Sequence, residues 1–307
     1  VTDYDPDEIE RKISINSALC FLEWKECKAN IIDCPGYTNF LWDAKASLRA
    51  VDAGAIVVCG VAGVEVGTEK VWEMLEEFDL PRMIIINKLD RENSNYKRTV
   101  ESIHQFFGRK AVPIQLPIGE EKDFRGVVDL ISRKAYLYEK DESGKFREEE
   151  IPTNLKEEAK KKIEELTEMI AEDDEKLMEK YFEKGELTPE EIIAGLKRSM
   201  LNRQLFPIFV SSALLNIATQ PILDGIVNYL PSPLERGEIK GENGSVKPSL
   251  DDPFSGLIFK TISDPYTGRI SLMRIFSGKV NPDSTVDNYS KDRDEKLGGL
   301  FFLQGKE

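Results

Sequence analysis

Histidine and cysteine are scarce in this sequence of 307 residues, which contains one histidine and four cysteines. The cysteines are Cys20, Cys27, Cys34 and Cys59, and no two of them form a C-x-x-C pair. His104 is the single histidine that could join them. Because structural zinc sites need four cysteine or histidine ligands at close spacing, this scarcity argues against a zinc site. It favours reduced cysteines in the cytosol.

Long apolar runs and an excess of basic residues are also lacking. No apolar run approaches the roughly 20 residues that a membrane span needs, and the acidic start of the chain does not look like a signal peptide. The 42 basic and 56 acidic residues give a formal net charge of −14, which argues against a coat of basic residues for nucleic acid. We expect a globular protein with no membrane segment. Because the chain starts with Val1, we also expect it to be part of a longer protein.

The sequence does contain an alternation of apolar strands and amphipathic helices. Continuous apolar runs predict buried parallel strands over 55–61, 81–88 and 205–213. Helical spacing of apolar residues predicts helices over 37–54, 68–80, 95–108 and 219–230. A β-hairpin is predicted over 13–33. This alternation predicts an α/β fold with a doubly wound, mostly parallel sheet.

The alternation is interrupted before the strand at 205–213. Residues 111–147 suggest short strands, and the charged segment 153–203 looks helical. Its charges favour a solvated helix face, with an acidic docking surface for a basic partner as the alternative. Residues 231–253 are rich in Pro, Gly and Ser and indicate a linker. The β-rich segment 254–286, with turn signals at "DPYTG" and "NPDS", predicts a small and incomplete β-barrel.

Polar residues follow the predicted strand at 81–88. Asn87, Lys88 and Asp90 stand at its carboxyl end, where open α/β sheets bind ligands. The Asp90 carboxylate can accept hydrogen bonds from the ring N–H and the exocyclic amine of guanine, a donor pair that adenine lacks. Lys88 would lay its aliphatic stem along the base, and Asn87 would hold neighbouring loops. By itself, N-K-x-D is a weak pattern that a polar strand end also explains.

Two other strand ends carry residues that suit a nucleotide. Ser212, Ala213 and Leu214 stand at the carboxyl end of the strand predicted over 205–213, and the small residues there allow the Ala213 N–H to approach the base carbonyl oxygen. In "DCPG", Asp33 could hold Mg²⁺ through water, and Gly36 could present its backbone N–H to a terminal phosphate. In isolation D-x-P-G is an ordinary turn. The order D-x-P-G, N-K-x-D and S-A, each after a strand, favours one guanine nucleotide site.

With these motifs in this order, the chain resembles the translational GTPases of the elongation factor G family. The similarity runs along nearly the whole length, through stretches such as "IIDCPGYTNF", "MIIINKLDR", "QPILDGIVNYLPSP" and "SDPYTGRISLMRIFSGKV". The resemblance implies a cytoplasmic, GTP-hydrolysing switch that uses Mg²⁺ and binds the RNA and proteins of the ribosome. It implies a monomer away from the ribosome. Ribosomal protection and release or recycling GTPases share the same front domains and stay open as alternatives.

The resemblance also implies a division into domains. A P-loop-GTPase-type core is expected at 1–108 and 206–231, with an inserted α+β subdomain at 109–205. A linker at 232–252 and a partial β-barrel at 253–307 would follow.

The chain departs from the family pattern in its phosphate-binding parts. It contains no G-x-x-x-x-G-K-[ST] stretch. We expect that loop upstream of Val1, and without it GTP binding by this chain alone should be weak or absent. In "RKISI", Ser14 stands where the family has its magnesium-binding threonine, and Lys12 replaces a glycine.

The third departure is Tyr37, which follows D-x-P-G where the main family has a histidine that positions the attacking water. A tyrosine hydroxyl can also hydrogen-bond water, but it has a longer reach. We therefore expect a divergent paralogue in which hydrolysis is slow or differently triggered. A ribosome-binding paralogue with weak or no GTP hydrolysis is the alternative.

Overall fold

The computed structural model describes residues 1–241, 244–264 and 268–306. Its α-helices are α1 (Pro6–Arg11), α2 (Leu41–Leu48), α3 (Val66–Glu77), α4 (Tyr96–Phe107), α5 (Lys156–Glu172), α6 (Glu175–Lys184), α7 (Pro189–Leu201), α8 (Thr219–Tyr229) and α9 (Pro233–Arg236). Its strands are β1 (Ala18–Trp24), β2 (Cys27–Asp33), β3 (Gly54–Cys59), β4 (Arg82–Asn87), β5 (Ala111–Pro113), β6 (Gln115–Ile118), β7 (Gly126–Asp129), β8 (Lys134–Tyr138), β9 (Phe146–Glu149), β10 (Phe206–Val210), β11 (Ile239–Gly241), β12 (Gly244–Val246), β13 (Ser255–Asp264), β14 (Gly268–Ser277), β15 (Thr285–Asn288) and β16 (Arg293–Lys296).

The chain forms two compact units. The first unit comprises Val1–Glu23, Lys28–Val51 and Ser232–Glu307, and the second comprises Trp24–Cys27 and Asp52–Pro231. Across the described residues, no helix combines the length and the apolar character that crossing a bilayer requires.

A four-stranded sheet in the second unit runs in the order β3-β4-β10-β5, and all three neighbouring pairs are parallel. The two central strands are the apolar runs "RMIIIN" and "FPIFV", and every residue of β10 is buried. The predicted α/β fold with a mostly parallel sheet is therefore confirmed.

Between β5 and β10, the second unit holds an antiparallel sheet in the order β6-β7-β8-β9 and the helices α5 to α7. Its residues lie within the segment predicted as an α+β insert. The parallel sheet reaches into that predicted segment, because β5 pairs with β10 and the N–H of Ile114 then donates to the carbonyl of Ile208 at 3.1 Å. The domain boundaries stay a prediction.

The β-rich part of the first unit consists of short sheets. The antiparallel pair β13–β14 spans ten residues in each strand, and β15–β16 forms a second antiparallel pair. Residues 265–267 of the predicted "DPYTG" turn lie outside the described residues. These strands confirm a β-rich region after the parallel sheet, and closure into a barrel stays a prediction.

The first strand of the predicted hairpin and the helix predicted over 37–54 are both shorter in the structure than in the sequence pattern. The hairpin strand begins only at Ala18, because the N–H groups of Ile15 and Asn16 donate to the Glu8 carboxylate instead of to a strand. The helix predicted over 37–54 is regular only at Leu41–Leu48, after a 3₁₀ turn at Thr38–Phe40. Side chains outside each element bind its backbone, Glu8 before the strand and Arg274 and Arg236 at the carbonyls that follow the helix.

Arg82 opens β4 and is fully buried, with 1% of its side chain exposed. Its guanidinium carbon lies 4.4 Å from the ring centroid of Trp72 and 4.9 Å from that of Phe206. One guanidinium N–H group donates to the Trp72 carbonyl at 3.1 Å. Burial lowers the pKa of the guanidinium to about 10. The aromatic faces stabilise a charge that burial alone would disfavour.

Gly225 of α8 packs directly against the ring of Phe209 in β10. A Cβ atom at this position would lie 2.2 Å from the ring of Phe209, which is itself buried. We expect Gly225→Ala to lower the free energy of unfolding by about 1–3 kcal/mol, although alanine favours an exposed helix by about 1 kcal/mol. Denaturant titration measures this difference.

Gly298→Ala is the matched control, because a Cβ there would meet nothing within 4 Å. An unfolding midpoint for Gly225→Ala equal to that of the control would contradict the close packing of α8 on β10.

Candidate functional site

Asn87, the last residue of β4, joins two loops of the second unit. Its Oδ1 accepts the N–H of Lys88 at 2.7 Å, the N–H of Ala213 at 2.9 Å and the hydroxyl of Ser211 at 3.4 Å. Its carbonyl also accepts the N–H of Gly60 at 2.8 Å. One amide side chain thus fixes the "NKLD" loop to the "SSAL" loop at the carboxyl ends of β4 and β10.

The backbone of the "NKLD" loop is strained at one residue. Lys88 has φ of 66°, a left-handed conformation that non-glycine residues adopt at a cost of about 1 kcal/mol or more. Leu89 is buried and anchors the loop, while Lys88 is exposed and Asp90 is partly exposed. The lysine stem and the Asp90 carboxylate are therefore accessible to a ligand.

The loop after β10 is a tight turn built by Ser212. Its N–H donates to the carbonyl of Ile217 at 3.2 Å, and its hydroxyl accepts the N–H of Leu215 at 3.2 Å. Ala213 is exposed, and Leu214 exposes 70% of its surface. The Ala213 N–H, the predicted donor to a base carbonyl, is already bonded to Asn87. A base oxygen would have to share or replace that bond.

Asp33 ends β2 in the first unit, and the "CPGY" turn follows it. A Cβ added to Gly36 would meet nothing within 4 Å, so packing does not require glycine there. Gly36 is exposed, and Tyr37 exposes 59% of its surface. The turn therefore presents an open backbone and an exposed phenol at the point where a phosphate and a water molecule are predicted.

Ser14 lies in a segment that Glu8 holds. Glu8 is buried and accepts the N–H groups of Ile15 at 2.9 Å and Asn16 at 3.0 Å. Burial raises the pKa of Glu8, but these backbone hydrogen bonds outweigh burial and lower that pKa below its ordinary value. Lys12 has φ of 54° and ends α1 in a left-handed conformation. This conformation suits the glycine that the family carries at that position.

The oxygen donors at Ser14 and Asp33 suit Mg²⁺ chemically. Among the described residues, no group of three or more His, Cys, Asp or Glu side chains could hold a metal. Mg²⁺ commonly takes one or two protein oxygens and fills its remaining positions with phosphate oxygens and water. A hydroxyl and a carboxylate are therefore a donor set that fits this ion together with a nucleotide.

The structure brings Asn87, Ser212 and Ala213 together in the second unit. Ser14, Asp33, Gly36 and Tyr37 belong to the first unit. The convergence of both sets on one nucleotide stays a prediction. The sequence analysis did not identify Glu8. A local signal for this residue does exist, since "DPDE" at 5–8 has the spacing of a capping box.

Comparison with known proteins identifies the domain. Residues 1–232 match the family model of the elongation factor Tu GTP binding domain. A crystal structure from Thermus thermophilus aligns with 100% of this chain at 30% identity and a TM-score of 0.86. The chain spans 44% of that protein's length. Because the family model covers well over half of the residues, the chain belongs to the family of the elongation factor Tu GTP binding domain, the guanine-nucleotide-binding domain of translation factors.

Proposed function

We propose that the protein containing this chain is a ribosome-dependent GTPase of protein synthesis, similar to elongation factor G, that acts in the cytoplasm as a monomer away from the ribosome. The observation that carries this proposal is the Asn87 side chain, which ties the N-K-x-D loop to the S-A loop. Two loops fixed in this way can present base-reading groups with little ordering cost on binding.

The guanine end of the nucleotide would be read in the second unit. The Asp90 carboxylate accepts from the ring N–H and the exocyclic amine, which adenine cannot offer as a pair. The exposed Lys88 stem covers one face of the base. The turn at Ser212–Leu214 would supply the Ala213 N–H to the base carbonyl, which would share this donor with Oδ1 of Asn87. A base without these donors leaves the carboxylate unpaired and binds weakly.

The triphosphate end would be held by the first unit. Gly36 donates its backbone N–H to the γ-phosphate, and the open space around it leaves room for that group. Ser14 and Asp33 are the residues that would hold Mg²⁺, Asp33 through water. When bound, this ion neutralises charge on the β- and γ-phosphates. Loss of the γ-phosphate would release the segments around Ser14 and Gly36.

A paralogue with weak hydrolysis is the second candidate, and Tyr37 favours it. The phenol is largely exposed, and in the sequence it follows D-x-P-G at the position where the family has its water-orienting histidine. Catalysis of phosphoryl transfer depends mainly on positioning and charge stabilisation. A tyrosine that places water poorly would leave nucleotide and ribosome binding intact and slow the chemical step.

GTP turnover of the protein in its full natural length, measured with and without ribosomes, tests the proposal. We expect ribosomes to stimulate turnover. Tight GTP binding with no turnover in either condition would favour the second candidate. A protein that binds neither GTP nor ribosomes would contradict both.

A further inference from the structure

Ser17 is a buried junction of the first unit, with 1% of its surface exposed. Its N–H donates to Oδ2 of Asp43 at 2.6 Å, and its carbonyl accepts from Nζ of Lys260 at 3.1 Å. Its hydroxyl lies 3.2 Å from the hydroxyl of Ser47 and 3.8 Å from the sulfur of Cys34. One residue therefore connects the end of β2, helix α2 and strand β13.

Lys260 and Asp43 form an ion pair over this junction. The ammonium lies 2.5 Å from Oδ2 of Asp43, and the two side chains are 12% and 28% exposed. Partial burial raises the pKa of Asp43, but hydrogen bonds from Lys260 and Ser17 outweigh burial and lower it. Removing one partner of a shielded pair leaves the other charge without compensation, which costs more than loss of an exposed pair.

The β-rich segment also holds the other end of α2. Arg274 of β14 donates to the carbonyl of Ala50 at 3.3 Å, and Arg236 of α9 donates to the carbonyl of Val51. The helix that follows the D-x-P-G turn is thus fixed at both ends by residues that come after position 231. These contacts explain why α2 belongs to the same compact unit as β13 and β14.

The junction lies next in sequence to the residues proposed for the triphosphate. Ser17 follows Ser14 by three residues, and Cys34 stands between Asp33 and Gly36. Between Ser14 and Ser17, the N–H groups of Ile15 and Asn16 donate to the Glu8 carboxylate. Displacement of either segment therefore strains or breaks the bonds that meet at Ser17.

We propose that Lys260 is a positioning residue that couples the β13–β14 hairpin to the segments holding the γ-phosphate and Mg²⁺. This inference rests on the proposed function. Lys260 itself is not a nucleotide contact. It holds Ser17 and Asp43 so that the segments of Ser14 and Gly36 are ordered before the triphosphate binds, which reduces the ordering cost of binding. Because the same bonds join the two segments to Lys260, loss of the γ-phosphate would change the position of the β13–β14 hairpin.

Lys260→Met tests the coupling, with Lys279→Met as the matched control because Lys279 is an exposed lysine just after β14. The affinities of the full-length protein for GDP and for a non-hydrolysable GTP analogue are measured by equilibrium titration. We expect Lys260→Met to lower the affinity for the analogue by about 5- to 100-fold relative to GDP. The control should leave this ratio within about twofold. A general loss of structure would instead lower both affinities, so the ratio separates positioning from folding.

Asp43→Asn is the second variant, for use if Lys260→Met does not fold. It keeps an acceptor for the Ser17 N–H and removes the ion pair, and it should lower the same ratio. A folded variant with the wild-type ratio would overturn the coupling alone. A wild-type protein that binds neither nucleotide would overturn the proposed function and this inference with it.

Discussion

Asp90→Asn is expected to convert the nucleotide preference of the full-length protein from guanine to xanthine. The substitution removes two charge-assisted hydrogen bonds to the ring N–H and exocyclic amine of guanine, each worth roughly 1.5–3 kcal/mol. We therefore expect GDP affinity to fall by about 10²- to 10⁴-fold. Xanthine carries a carbonyl in place of the amine, so the asparagine amide can donate to that oxygen while its own oxygen accepts the ring N–H.

Two further variants make this prediction specific. Asp90→Ala should lose GDP affinity without gaining affinity for xanthosine diphosphate, because alanine offers no group to either base. Asp123→Asn removes an exposed carboxylate elsewhere in the second unit and should change neither affinity. Equal GDP affinities for wild type, Asp90→Asn and Asp90→Ala would show that Asp90 does not read the base.

Tyr37→His is expected to raise ribosome-stimulated GTP turnover by about 10- to 100-fold, with nucleotide affinity unchanged. Histidine is shorter than tyrosine and can orient a water molecule close to the D-x-P-G turn, and misplacement by about 1 Å can cost 100-fold. The side chain at position 37 is largely exposed, so the substitution should not disturb packing. Single-turnover hydrolysis at saturating ribosome concentration measures the chemical step.

The pH profile and a phenylalanine variant give the controls. An unperturbed histidine has a pKa of about 6.5, so a turnover gain that depends on its charge state should vary between about pH 6 and 7. Tyr37→Phe removes only the hydroxyl and should lower turnover if that hydroxyl holds the water. Turnover for Tyr37→His at or below the wild-type level, with GTP still bound, would contradict the water-positioning role.

The elements that the sequence predicted well are those whose pattern follows from burial alone. The apolar runs of β4 and β10 are central strands of the parallel sheet, as their composition requires. Helix α8 matches its predicted span almost residue for residue, because its apolar spacing and the proline after it are local signals. The local sequence pattern is therefore sufficient to predict an element when no side chain from elsewhere in the chain binds the backbone groups of that element.

The remaining differences arise from contacts between residues far apart in sequence. The helical pattern of the sequence continues to residue 54, but α2 ends at Leu48. Arg274 and Arg236 donate instead to the backbone carbonyls of the residues at 50 and 51. The sequence of β4 shows only that the strand begins with a charged residue and does not predict that Arg82 is buried. The aromatic rings that cover Arg82 belong to α3 and β10. Arg236 and Arg274 lie 185 and 224 residues from the carbonyls to which they donate, so no short window of sequence contains those pairs.

The candidate site divides in the same way. N-K-x-D and D-x-P-G were visible as short motifs at strand ends, because their chemistry depends on adjacent residues. The junction at Ser17 was not, because Asp43 and Lys260 lie 26 and 243 residues away. The left-handed backbone at Lys12 gives the physical reason for the glycine that the family pattern has there.

Competition between GDP and ADP for the full-length wild-type protein tests most directly which base the second unit accepts, and the proposed function depends on that choice. Calorimetric titration with each nucleotide in the presence of Mg²⁺ gives the two affinities. We predict that GDP binds at least about 10³-fold more tightly than ADP, since adenine leaves the Asp90 carboxylate unpaired. Affinities for ADP and GDP within about tenfold of each other would contradict guanine recognition by Asp90.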